Sequence, residues 1–408
     1  MVALAVLQLP VVLQRFAVLF TLLLPGVASL SPTYLACQVQ KAANVSQLTG
    51  CPAGTILVSQ DTSDPDASFT SVQEAVLAVA ASDEPTIILI AEGEYNEVVN
   101  YTGTAPLTLL GQLPPTITSA AGPFANASAT ALNLVQIWSD AYVTGTGMDD
   151  ADTAVLTIAP SRAGALIGSG PTGAPLQPLS GSADFRAYNI DFVNRAADYA
   201  ISQALATDIS YANASFYGCS FKSYQDTWYT GRNASTYVVD SVIFGQTDYL
   251  FGFGTAWFQN VILANRGCGG GIVAWKGTNE TDAPGNRYGA YVANSTIMRS
   301  PDANDTTETD GLCYLGRPWN DLATTVFIDT YMDESINSEG WKPFNDDRPE
   351  ILDTTYYAEY NSTGPGGDTS ARVPPSHILD EEDVSEMDFT IEGVFTEHPD
   401  WIDFDYMY

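Results

Sequence analysis

The sequence predicts an all-β fold, a solenoid of short strands preceded by one short helix. A seven-residue unit recurs six times: Arg186 to Phe192, Ser215 to Phe221, Tyr237 to Ile243, Trp257 to Leu263, Tyr291 to Ile297 and Val326 to Met332. Each unit sets apolar residues on both sides of one central residue: Asn189, Gly218, Asp240, Asn260, Asn294 or Asp329. Asn, Asp and Gly tolerate the left-handed backbone that β-branched residues resist, so each unit reads as strand, one-residue bend, strand. Successive units start 20 to 35 residues apart, a period that suits solenoid coils with loops of variable length. An antiparallel sandwich is the alternative, but it requires a hairpin turn every 8 to 12 residues. Helical spacing is confined to Thr70–Ala81, where Val72, Ala75, Val76 and Val79 recur on one face, and Thr86–Ile90 is a β-branched run.

A chain of 408 residues, 45% hydrophobic, can bury one large core or two modest ones. Residues 1–28 have the form of a secretory signal: one charge at Arg15, an apolar run Phe16–Leu24, then Gly26, Val27 and Ala28. A membrane anchor is the competing reading, but Pro10 and Pro25 bracket a run too short to span a bilayer. The organisation expected is signal 1–28, solenoid domain 29–375 and acidic tail 376–408, the tail packing along the outside or fraying. Nine N-x-Ser/Thr sequons, at Asn44, Asn100, Asn126, Asn213, Asn233, Asn279, Asn294, Asn304 and Asn361, agree with a secreted, extracellular glycoprotein. Five cysteines allow two disulfides and one leftover thiol, and Cys37 with Cys51 is the first pair to expect. Fifteen basic against 48 acidic residues give a net charge of −33, which repels nucleic acid, anionic membranes and polyanionic sugars.

His377 and His398 are the only histidines, and both lie in the C-terminal stretch. Serine and cysteine triads need an imidazole beside the nucleophile, so carboxylates are left to carry any proton transfer. No metal ligand is assigned; carboxylates alone would suit only a hard cation such as Ca²⁺. Gln203 precedes Gln225 by 22 residues, and Asp226 precedes Asp248 by 22. One coil apart, such pairs stack at about 4.8 Å, which sets two glutamines and two aspartates in adjacent columns. Two close carboxylates do not both ionise, which yields one nucleophile and one acid, and side-chain amides beside them can donate to an oxyanion. A structural ladder of glutamines with aspartate turns has the same spacing. Arg317, in Leu315-Gly-Arg317-Pro-Trp319, could hold one aspartate ionised, and Trp319 could stack on a sugar.

Taken together, Gln203-Ala-Leu, Gln225-Asp226-Thr-Trp-Tyr229, Asp248-Tyr-Leu-Phe251-Gly252 and Leu315-Gly-Arg317-Pro-Trp319 resemble, in order, the motifs of pectin methylesterases. Lesser matches at Gly93–Glu97, Gly340-Trp341 and Ala358–Gly366 extend the resemblance over roughly Thr55 to Val373. It implies a right-handed parallel β-helix acting on methylated polygalacturonan, with Asp248 as nucleophile and Asp226 as general acid and then base. Gln225 and Gln203 would be oxyanion donors, Arg317 the residue orienting the nucleophile, and Trp319 a substrate platform. Phe251, Tyr229 and Tyr249 would be sugar contacts. No cofactor and no metal is implied, and the expected state is a monomer whose partner is pectin, with no nucleic acid and no membrane after signal cleavage. Trp228 stands where a smaller aliphatic residue is common and Gln246-Thr247 replaces the usual Thr-Val, which implies a shifted subsite preference. A lyase, a glycosidase or a catalytically dead carbohydrate-binding solenoid are the alternative functions on this fold.

Overall fold

All six central residues of the recurring unit adopt the left-handed conformation, with φ of 55° at Asn189, 59° at Gly218, 49° at Asp240, 48° at Asn260, 49° at Asn294 and 48° at Asp329. Asn361 follows at 50°. The computed structural model describes residues 31, 33–115, 133–168, 176–177, 182–278, 287–396 and 398–406. The signal segment and the sequons at Asn126 and Asn279 lie outside them.

Each bend hands the chain from a twelve-stranded sheet to an eight-stranded one, and a seven-stranded sheet completes the coil. One coil runs Trp228–Thr230, Ser235–Val239, the bend at Asp240, then Val242–Gly245, before Leu250–Gly252 begins the next. Neighbouring coils pair in parallel and in register, as in Ser235↔Thr255, Val242↔Ile262 and Trp228↔Leu250. The fold is thus a parallel β-helix, as the sequence predicts. Its interior is a continuous apolar stack in which Phe192 lies over Phe221 at 5.7 Å and Trp341 over Tyr357 at 4.0 Å.

The predicted N-terminal helix is Val72–Val79 (α1), with Val72, Ala75 and Val76 buried. Ser71 caps it by accepting from the Glu74 N–H, and the Glu97 carboxylate accepts from the N–H groups of Val72 and Gln73 at 3.1 and 2.8 Å. A single turn, Leu35–Gln38, precedes it and is tied down by the disulfide Cys37–Cys51. A second disulfide joins Cys268 to Cys313, and Cys219 is the buried free thiol, pushed up to about 12 by burial.

The tail packs rather than frays. Tyr188 and Tyr217 in one column and Tyr237, Trp257 and Tyr291 in the next line the outer face of the twelve-stranded sheet, and Phe389, Val394, Trp401, Ile402 and Tyr406 cover them. Arg186 fastens the tail by donating to the carbonyls of Trp401 and Asp400 at 3.0 and 2.9 Å. Two short helices in the tail, Glu381–Glu386 and Ile391–Phe395, depart from the sequence reading, which has one helix only. They form because Asp380 and Thr390 cap their first turns, a local device that leaves no long periodic signal.

Two buried aspartates outside the cleft set a pH dependence of stability. Burial pushes Asp191 up to about 6 against the pull of Lys222, and pushes Asp240 up to about 6 against hydrogen bonds from Asn260 and Tyr406. A carboxyl whose folded value is raised contributes stability fully present below its ordinary value near 3.8 and lost as pH rises through about 6. Each contributes on the order of 3 kcal/mol. The melting temperature is therefore expected to be higher at about pH 4 than at about pH 8; a Tm that rises across that interval would contradict this assignment.

Candidate active site

Asp226 and Asp248 also sit in left-handed bends, at φ of 59° and 47°, where the chain enters the seven-stranded sheet. The Asp226 N–H donates to the Thr247 carbonyl at 3.0 Å and Gln225 bridges Thr247, so the two aspartates lie one coil apart in one column. Gln203 stacks on Gln225 in the same way, since the Ala204 N–H donates to the Gln225 carbonyl at 3.2 Å. Beyond this point the register slips. The Thr227 carbonyl accepts from both Ala206 and Thr207, and the strand Thr207–Ile209 then pairs with an offset of 21 rather than 22 (Thr207↔Trp228). The irregularity confines the 22-residue stack to the residues at the mouth of the strands.

Arg317 reaches back over an intervening coil to Asp248. Its Nε donates to Oδ1 at 2.9 Å, its Nη2 to Oδ2 at 2.5 Å, and its Nη1 to the Phe344 carbonyl at 2.7 Å. The Gly271 N–H donates to Asp248 Oδ1 at 2.9 Å. Gly270 occupies the intervening coil, and a Cβ there would lie 2.5 Å from Asp248 Oδ1 and 2.6 Å from Arg317 Cζ, so only glycine leaves the pair its space.

Among the described residues Asp226 has no such partner. Burial, then the neighbouring carboxylates of Asp248 and Asp150, hold its carboxyl well above the usual range, with Arg317 pulling weakly the other way. One aspartate is thus clamped by a cation and hydrogen bonds, and its neighbour is placed to keep a proton. Ser202 Oγ donates to Gln203 Oε1 at 2.8 Å, which leaves the Gln203 amide N–H groups to donate elsewhere.

The two glutamines, the two aspartates and Arg317 line a cleft of about 540 Å³ together with Phe251, Trp319, Phe344, Met148, Asp149 and Asp150. Trp319 lies 5.7 Å from the Phe251 ring, with the Lys276 ammonium 3.3 Å from its ring centroid. Arg348 donates to the Trp319 carbonyl at 2.6 Å.

Three residues read from the sequence as contacts or subsite determinants are placed elsewhere. Tyr249 is fully buried in the core and donates to Asn265 Oδ1 at 2.8 Å, because the bend at Asp248 turns it inward over Gly245. Tyr229 faces outward but lies beneath the cleft, 3% exposed under Ala151, Ala165 and Ile167 and 4.7 Å from Phe251, which it supports. Trp228 is wholly internal, packed edge-on to Phe216 and Phe221, so its size does not shape a subsite.

The sequence reading missed Asp150, Lys276, Phe344 and Gly270. Burial and Asp149 push Asp150 up to about 6, and burial and Arg232 push Lys276 down to about 7; each is opposed by the other. The run Gly269-Gly270-Gly271 was the available signal for a close approach. Among the described residues, no group of His, Cys, Asp or Glu is arranged to hold a metal, and no helix is long and apolar enough to cross a membrane.

The profile of the Pectinesterase family matches residues 178–397. Probable pectinesterase/pectinesterase inhibitor 7 of Arabidopsis thaliana is 36% identical over 225 residues, covering 54% of this chain and 37% of that protein. The chain thus spans little more than a third of that plant relative. Probable pectinesterase A of Aspergillus niger is 27% identical over 350 residues, 86% of this chain and 90% of that one. Among solved structures, the pectin methylesterase of Aspergillus niger superposes with a TM-score of 0.64 at 25% identity, covering 87% of this chain and 98% of that chain. The carrot pectin methylesterase gives 0.63 at 24%, covering 85% and 93%.

Proposed function

The chain belongs to the pectinesterase family, and from that premise we propose that it is a secreted, monomeric carboxylic-ester hydrolase that removes methyl groups from methyl-esterified homogalacturonan. The observation that carries this reading is the asymmetry of the stacked aspartates: Asp248 clamped by Arg317, Asp226 buried beside it without a cation of its own.

Asp248 attacks the C6 ester carbonyl, and the oxyanion that forms accepts hydrogen bonds from the amides of Gln203 and Gln225. The carbon–oxygen bond to the methoxy group breaks as Asp226 delivers its proton, and methanol leaves. Asp226, now ionised, takes a proton from water, which attacks the acyl-enzyme; Asp248 departs as carboxylate and Asp226 is protonated again. Atoms balance as ester plus water giving acid plus methanol, with no cofactor. Phe251, Trp319 and Phe344 supply the apolar surface on which sugar rings stack.

The discriminating experiment follows the mass of a methylated oligogalacturonate during incubation. An esterase removes methyl groups and preserves chain length. Shortened chains would indicate a glycosidase, unsaturated ends a lyase, and an unchanged oligomer a binding module.

A further inference from the structure

The clamp on Asp248 closes across a segment with little stiffness of its own. Gly269, Gly270 and Gly271 follow one another between the coil of Asp248 and the coil of Arg317. Close approach requires them: a Cβ at Gly269 would strike Thr247 Oγ1, one at Gly270 would enter the gap between Arg317 and Asp248, and one at Gly271 would lie 2.8 Å from Gly316 Cα. Three successive glycines are also the most pliant backbone a chain can offer, so the segment needs an outside restraint.

The Cys268–Cys313 disulfide supplies one. Cys268 immediately precedes Gly269 and Cys313 precedes Arg317 by four residues, so a covalent bond ties the glycine segment to the approach of the strand that carries the arginine. Hydrogen bonds fix the two sides of this tie. Arg266 is anchored by its N–H on the Gly245 carbonyl and by Asp302, and Ile272 donates to the Tyr314 carbonyl at 2.9 Å. Between them, among the described residues, the backbone of Cys268–Gly270 keeps one hydrogen bond, from the Gly269 N–H to the Gln246 carbonyl. The other disulfide, Cys37–Cys51, holds an N-terminal turn whose Gln38 bonds Gly111, several coils from Asp248.

We propose that Cys268 and Cys313 are positioning residues for the Arg317–Asp248 pair, and that a dithiol reductant which opens their disulfide switches ester hydrolysis off in a chain that stays folded. This rests on the pectinesterase reading and adds redox control to it. Cys268 is half-buried and Cys313 is 3% exposed, so the thiolate of the reductant attacks Cys268 Sγ. The S–S bond breaks, Cys313 leaves as thiolate and takes a proton, and the second thiol of the reductant displaces Cys268. Two cysteine thiols are gained and the dithiol departs as a cyclic disulfide. Arg317 and Asp248 are then parted by a loop free to shift, and a displacement of about 1 Å is enough to cost turnover.

The test is methanol release from methylated pectin before and after dithiothreitol, by the wild-type chain, Cys268→Ser/Cys313→Ser and Cys37→Ser/Cys51→Ser. Reduction of the wild-type chain is expected to lower kcat by roughly ten- to a hundredfold with KM within about twofold, and reoxidation to restore it. Cys268→Ser/Cys313→Ser should start at the reduced rate and ignore the reductant, whereas Cys37→Ser/Cys51→Ser should start at the wild-type rate and lose it on reduction. A wild-type kcat in Cys268→Ser/Cys313→Ser, a loss that follows Cys37–Cys51 instead, or a loss that comes only with collapse of the near-ultraviolet circular dichroism would overturn the proposal. A second arm needs no turnover. Asp248→Asn should lower the melting temperature of the disulfide-intact chain and lower it by less in Cys268→Ser/Cys313→Ser, where the ion pair is already parted; equal shifts overturn the coupling. If the oxidised wild-type chain releases no methanol, the pectinesterase reading fails, and the melting arm alone decides whether the disulfide holds the pair.

Discussion

Asp248→Ala is expected to lower methanol release by at least about ten-thousandfold while leaving the fold in place. The side chain does two things that alanine cannot: it supplies the attacking oxygen, and it holds Arg317 through two charge-assisted hydrogen bonds. Removing it also relieves Asp226 of a carboxylate neighbour that raises its proton affinity, so the acid is altered along with the nucleophile. Because Asp248 is largely buried at the head of the strand Leu250–Gly252, its loss leaves the Arg317 guanidinium without its anion, and a modest fall in stability is expected. Asp248→Asn keeps the shape and separates the two effects, since an amide preserves the packing without being a nucleophile.

The second large effect is expected at a residue with no side chain. Gly270→Ala should reduce kcat by about a hundredfold or more with KM little changed, because a methyl group in the gap between Arg317 and Asp248 has no room at 2.5 to 2.6 Å and must part the pair. Displacing a nucleophile by about 1 Å is enough for such a loss. The neighbouring disulfide Cys268–Cys313 and the hydrogen bond from the Gly271 N–H hold this loop against the cleft, so it does not simply move aside. Activity in Gly270→Ala above about a third of wild type would show that the Arg317–Asp248 geometry is not required.

The architecture was legible because one-residue bends admit so few residue types. Asn189, Asp240, Asn260, Asn294 and Asp329 announce left-handed backbone in a way that a general loop does not, and their recurrence sets the coil. The dyad was legible for the same reason, since a constant spacing of 22 in a solenoid becomes a stack. Facing was less legible. Tyr249 follows an aspartate at the cleft and reads as its neighbour there, yet a left-handed residue reverses the alternation of a strand and sends the next side chain into the core. Tyr229 keeps its outward direction but is roofed by residues 151–167, a segment far away in sequence. Asp150 lines the cleft from the first residue of a short 3-10 turn, Lys276 reaches the Trp319 ring from just past a strand, and Gly270 matters only for what lies on either side of it. No pattern within one stretch of chain encodes such relations.

The proposed mechanism has Asp226 and Asp248 divide the work of ester hydrolysis, and the most direct measurement is methanol released from highly methylated pectin by the purified chain, beside Asp248→Ala at equal folded concentration. Methanol from the wild-type chain, no new reducing ends, and silence from the variant are the predicted result. Methanol release that survives in Asp248→Ala, or new reducing ends without methanol, would contradict it.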